Sequence, residues 1–248
     1  MPIRLSPNRL ATAVALALLL SFAHLPLGAQ SLFYNGNLDG VGGVPSYRTN
    51  DALGLQMTYD NFVVSGTGWN VTGIFGEWLT NAGWTQAEYE IRSGVVEGAG
   101  GVLVFSGTDA APGWSPTGRT AFGLEEYRIG LSGLSFYLAP ETYWLGIALG
   151  NKVSAGQTYL ATTSGFGGLN AITDGNYFFD APALGMNFRS DAFYSGQGFD
   201  FSYGVEGTVA EEQGVVPEPT TVALLASGLA GLAAASRSRQ VAKKARGG

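Results

Sequence analysis

Between residues 30 and 214 no stretch repeats its apolar residues at a helical spacing. Short runs of alternating apolar and polar side chains are broken every few residues by turn formers, which confines the region to strands. In residues 87–93, Glu88, Glu90 and Arg92 share one face of a period-two ribbon, and Tyr89 and Ile91 share the other. In residues 142–149, Tyr143, Leu145, Ile147 and Leu149 line one face. Further strands are expected at residues 62–64, 69–78, 101–106, 127–131, 134–138, 157–162, 185–189 and 199–208. Turn signals such as Asn35-Gly36, Asp39-Gly40, Ser65-Gly66 and Asp174-Gly175 separate the runs. Glycine, 38 of 248 residues, is about double its usual share, so turn formers are abundant. About ten strands over this length predict an all-β fold, a single β-sandwich or jelly-roll-like domain.

The side chains that are missing narrow the chemistry. There is no Cys, and the one histidine, His24, falls in a segment expected to be removed. A mature domain without His or Cys hosts no Ser-His-Asp triad, Cys nucleophile or His-ligated metal. Within residues 30–214 six basic residues face 18 acidic ones, a balance of −12 against −6 for the whole chain. Such a domain repels nucleic acid and anionic lipid.

Both ends read as addresses. Arg4 and Arg9 precede an uncharged apolar stretch at residues 10–20, followed by Pro26, Gly28 and Ala29. This is a secretory signal peptide over residues 1–29, with cleavage after Ala29 and Ser21-Phe22-Ala23 as the alternative site. At the other end Val216-Pro217-Glu218-Pro219-Thr220 leads into an uncharged run to Ala235. With Thr220 that run is 16 residues. It amounts to about 24 Å of helix, and it spans a bilayer only with local thinning or snorkelling side chains. Arg237, Arg239, Lys243, Lys244 and Arg246 follow and set the orientation, tail in the cytoplasm and everything upstream outside. The expected organisation is a leader (1–29), an exported sandwich (30–214) and a C-terminal segment (215–248). That segment comprises a transmembrane helix over about residues 220–236 and a basic tail at 237–248.

The tripeptide Pro217-Glu218-Pro219, the short apolar helix and the terminal Arg/Lys cluster resemble the PEP-CTERM sorting signal of exported Gram-negative proteins. The same motif also carries an ice-binding C-terminal label, which implies no ice chemistry. The resemblance implies recognition and processing by an exosortase at the envelope, after handling by signal peptidase and the Sec machinery. It further implies a destination at the cell surface or in the extracellular matrix, with exopolysaccharide and biofilm. Landmarks across the middle are similar to those of β-sandwich PEP-CTERM proteins. They are Phe33-Tyr34-Asn35-Gly36 with Leu38-Asp39-Gly40, Asp60-Asn61-Phe62, Thr142-Tyr143-Trp144-Leu145 and Phe199-Asp200-Phe201 with Glu206-Gly207-Thr208. The prolines themselves keep the segment extended ahead of the helix.

The leading expectation is therefore a non-enzymatic exported protein without a cofactor. Three alternatives are defined by residues. A carboxylate glycosidase would use Glu88 with Glu90, or Glu125 with Glu126, although no buried-looking carboxylate pair is legible. A structural Ca2+ would take its oxygens from Asn35, Asn37 and Asp39, or from Asp174, Asn176 and Asp180. A lectin-like module would stack sugars on Trp114, in the proline-punctuated loop 112–116, or on Trp84 at a loop edge.

Overall fold

A computed structural model describes residues 29–190 and 198–211. The leader up to residue 28, the motif at 216–220, the apolar run and the basic tail lie outside the described residues. The chain divides after Ala210, and the strands all lie in the first unit. They are β1 (Gln30–Tyr34), β2 (Leu38–Val44), β3 (Tyr47–Arg48), β4 (Leu55–Val63), β5 (Trp69–Thr80), β6 (Trp84–Ser93), β7 (Val102–Asp109) and β8 (Gly113–Ala121). The order continues with β9 (Leu124–Leu138), β10 (Thr142–Lys152), β11 (Thr158–Thr163), β12 (Phe178–Ala181), β13 (Met186–Arg189), β14 (Asp200–Phe201) and β15 (Tyr203–Val209). One 3₁₀ turn, Pro182–Leu184, is the sole helical element among the described residues.

Two sheets form. In the first, β5 pairs along its whole length with β9. Its other edge is shared in succession by β15 and β11, while β8 pairs with β9 and β1 with β15. β2 and β14 attach to β11. The second sheet runs β13-β12-β4-β3-β10-β6-β7. Pairings are antiparallel except β3 with β10. Val71, Ile74, Trp78, Ile129, Val205 and Tyr203 from the first sheet share one buried cluster with Phe62, Ile91, Leu145 and Ile147 from the second. The architecture is a β-sandwich whose core is this inter-sheet layer.

The two stretches with the clearest period form as expected at β6 and β10, and strands expected at residues 69–78, 157–162 and 185–189 are found as β5, β11 and β13. The differences have physical reasons. Residues 127–131 and 134–138 are one strand, β9, because Gly133 at φ +74 bends the chain beside a bulge without ending the ladder. Residues 199–208 are two strands, since at Ser202 the chain changes partner from β11 to β5. Of residues 112–116 only Pro112 is outside a strand: 113–116 open β8, an edge strand, where Pro116 next to a bulge is tolerated.

β4 and β10 pair from Thr142↔Val63 to Gly146↔Tyr59, and there the ladder stops. The next residues in register, Ile147 and Thr58, are fully buried or nearly so, and two hydroxyls join them. The Ile147 N–H donates to Tyr203 Oη at 3.1 Å, and that hydroxyl donates to the Thr58 carbonyl at 2.8 Å. The Thr58 N–H donates to Ser46 Oγ at 3.2 Å, and Ser46 Oγ donates to the Ile147 carbonyl at 2.5 Å. Both chains of bonds replace what a direct backbone pair would supply, and β3 enters the widening gap immediately after Ser46. Tyr203→Phe leaves a buried N–H and a buried carbonyl short of a partner. We expect it to destabilise the protein by about 2–4 kcal/mol in urea unfolding. A loss under ~0.5 kcal/mol would show that the hydroxyl is dispensable.

Candidate functional site

β5 is mostly apolar and carries one charge, Glu77. Past a bulge at Val71/Gly73, Ile74, Gly76 and Trp78 face the core while Phe75, Glu77 and Leu79 face outwards. A lone carboxylate in such a strand must find partners, because burying it unpaired is prohibitive. Glu77 finds three. Its Oε1 accepts from Arg128 Nη2 at 2.7 Å and Nε at 3.0 Å. Its Oε2 accepts from Arg119 Nη2 at 2.5 Å and from the Tyr34 hydroxyl at 2.8 Å. The Arg128 guanidinium lies 4.0 Å from the centre of the Phe75 ring. That ring rests on Gly204, where a Cβ would come within 2.1 Å of it.

Arg119 also reaches Glu126: Nε donates to Oε2 at 2.5 Å, and Thr117 Oγ1 donates to the same oxygen. Both glutamate side chains are 0% exposed. Burial raises the Glu126 pKa, with repulsion from Glu77 adding to it and Thr117 and Arg119 opposing. Its Oε1 is buried and has no hydrogen-bond partner among the described residues. Two guanidiniums balance two carboxylates. A buried carboxylate pair therefore exists, contrary to the sequence expectation, and it joins Glu126 to a residue that no sequence motif singled out. Its signal was a single charge in an apolar strand.

The other glutamates behave as their alternation predicts. Glu88 takes two bonds from Arg48, at 2.5 and 2.7 Å, on the outer face of β6. Glu90 takes Arg92 Nε at 2.6 Å and the Tyr59 hydroxyl at 2.8 Å. Glu125 points away from Glu126 and accepts from Tyr127 at the surface.

Of the oxygen-bearing side chains named for calcium, Asn35, Asn37, Asp39 and Asp174 have partners within the protein. Asn35 is fully buried, donating to Asp60 at 3.0 Å and accepting the Ile172 N–H at 2.8 Å. Asn37 Oδ1 accepts from Tyr34, and Asp39 Oδ1 accepts from Thr162 and the Val41 N–H. Asp174 accepts from Asn61 and from the Asn176 N–H. Asp180 lies on β12, with Arg92 and Glu90 as its charged neighbours. Asp60 is the unforeseen member. It reaches across the sandwich from β4 to the Phe201 N–H at 2.6 Å. Burial and the nearby Asp200 carboxylate push its pKa well up, against three N–H donors that pull it down. Among the described residues no three His, Cys, Asp or Glu side chains are placed to hold a metal.

The two tryptophans part company. Trp84 is 4% exposed, with its Nε1 donating to Thr158 Oγ1 at 2.9 Å and the Tyr47 ring 5.5 Å away. It opens β6 and packs into the core, so it offers no face to a sugar; the loop-edge expectation is corrected. Trp114 is half-buried on β8, in register with core residue Ile129 and edge-on to Tyr127 at 5.8 Å. An aromatic that the sequence did not single out, Phe122 at the tip of the β8–β9 hairpin, is 63% exposed. It borders a groove of about 480 Å³.

Compared with known families, residues 215–239 match the PEP-CTERM protein-sorting motif. No curated protein matches the chain. The match covers the expected motif residues together with Arg237 and Arg239, while Lys243, Lys244 and Arg246 lie beyond it. The chain thus carries a PEP-CTERM sorting signal, which implies an exported protein processed by an exosortase. Among the described residues no helix is long and apolar enough to cross a membrane.

The buried ion cluster makes two predictions. Arg119→Met leaves the buried Glu126 without a cation, while Glu77 keeps Arg128 and Tyr34, and should cost roughly 3 kcal/mol of stability. Glu126 has a folded-state pKa above its ordinary 4.5, so its protonation stabilises the native state. That contribution is complete below pH 4.5 and lost as pH rises through the folded-state value. The stability of wild type relative to Glu126→Gln should therefore fall as pH rises above about 4.5. A flat or rising difference in thermal melts across that range would contradict the assignment.

Proposed function

We propose that the protein is a non-enzymatic β-sandwich that is sorted to the envelope, processed at its C-terminal signal, and left at the cell surface or in the extracellular matrix with exopolysaccharide. The observation that carries this reading is the sorting motif at residues 215–239. In this reading Val216, Pro217, Glu218, Pro219 and Thr220 form the extended segment that an exosortase-type enzyme engages. Arg237, Arg239, Lys243, Lys244 and Arg246 hold the tail in the cytoplasm until processing. Signal peptidase and the Sec machinery act at the other end. Support for a role without catalysis comes from the mature region, which has neither His nor Cys. Its carboxylate candidates are occupied, Glu126 by Arg119 and Thr117, Glu88 by Arg48 and Glu90 by Arg92.

A carbohydrate-binding module is the second reading, and the exposed Phe122 beside an open groove favours it. Trp84 is withdrawn as a contact because it is buried.

The intact mass of protein recovered from the cell surface and matrix tests the first reading. Loss of the leader and of residues 237–248 is expected, together with partition into the polysaccharide-rich fraction. Mature surface material that still contains Arg237 would sink the processing, and a protein confined to the cytosol would sink the whole reading.

A further inference from the structure

The β8–β9 hairpin ends at the pair Ala121↔Leu124, leaving a two-residue turn of Phe122 and Gly123. Both have positive φ, +55 and +75. This is the primed turn of a tight hairpin, whose first position normally takes Asn, Asp or Gly because a larger side chain crowds the carbonyl there. One other phenylalanine among the described residues, Phe188, shares the conformation at φ +44. Its strain is offset by burial, with the Tyr59 ring 5.2 Å away and the Arg92 guanidinium 5.1 Å away. Phe122 has no such compensation, since most of its surface faces water. A strained, exposed aromatic is the kind of outlier from which a binding role can be inferred.

Its surroundings identify what it binds. The groove lies on the outer face of the first sheet, floored by Leu79 and Leu124 and bordered by Phe122, Tyr159, Gln157 and Val41. Gly43 keeps one wall bare, and a Cβ there would come within 2.7 Å of Tyr159. None of the residues lining it is charged, although the domain as a whole is strongly acidic. The acidic field disfavours a polyanionic ligand, and an uncharged lining offers nothing to pair with a cationic one. We propose that this groove binds a segment of neutral polysaccharide. The apolar faces of pyranose rings stack on Phe122 and Tyr159, and the Gln157 amide holds hydroxyl groups at the rim. The proposal rests on the association with exopolysaccharide put forward above and gives it a site and a ligand class.

The test measures binding of the processed, exported protein to dextran, laminarin and methylcellulose, with alginate as the anionic counterpart. Phe122→Asn is the decisive variant because it installs a preferred turn residue. It should melt about 2–4 °C higher than wild type while binding its neutral glucan at least about tenfold more weakly. Gln157→Ala should weaken binding by a smaller factor. Equal binding by Phe122→Asn and wild type would overturn the site and leave the matrix association standing. Loss on Trp114→Ala with Phe122→Asn unaffected would move the site to β8. Binding to alginate alone would overturn the ligand class. A dimer that Phe122→Asn splits without any sugar present would show that a second copy covers the groove. Failure of wild type to bind any of the three neutral glucans would end the proposal, whereas fractionation of the protein with matrix polysaccharide is scored separately.

Discussion

Beyond Gly146 the second sheet can no longer pair β4 with β10, yet both strands stay in the dry interior. Each would carry a bare N–H and a bare carbonyl into the core if nothing intervened, at a cost comparable to a sizeable share of a domain's net stability. Tyr203, from the opposite sheet, and Ser46, from the segment before β3, supply the missing partners. The opening admits β3, and the tyrosine ties one sheet to the other by a polar bond, as Asp60 does to the Phe201 N–H elsewhere in the core. Trp78 packs edge-on against the same Tyr203 ring at 6.4 Å, so the bridging residue is itself fixed in the core.

The outer face of the first sheet solves a different problem. Glu77 and Glu126 are on strands whose other side forms the core, and no water reaches either carboxylate. Arg119 and Arg128 are about one-third exposed, so the cluster meets solvent through its cations. Such an arrangement neutralises charge locally in a domain with far more acidic than basic residues.

Much of this was legible in the residues. The period-two alternation in β6 is strong because its apolar face, with Tyr89 and Ile91, sits on the core and its other face is charged, while in β10 the core-facing Leu145 and Ile147 alternate with small glycine and alanine residues that are buried too. β4 was largely hidden because Gln56, Asp60 and Asn61 interrupt its apolar run, although they too are buried and Asp60 and Asn61 bond inside the fold. β8 was hidden by Pro116, which reads as a loop unless the strand is known to lie at an edge. The site residues divide in the same way. Trp84 looked exposed because it follows a turn, but its indole is drawn inwards by Thr158. Phe122 gave no sign, since the demand for a positive φ arises from the hairpin geometry and not from the side chain.

The first and last strands of the sandwich, β1 and β15, are paired with each other from Gln30↔Gly207 to Tyr34↔Gly204, and β15 in turn covers one edge of β5. A chain that emerges from a translocation channel with its amino end leading cannot complete the first sheet until residues 203–209 have crossed. Tyr203, which bridges the splayed strands of the second sheet, arrives in that same final stretch. Both sheets are thus left unfinished until nearly the whole domain has been threaded through. The two sheets therefore close together, on the arrival of one short carboxy-terminal stretch of the domain.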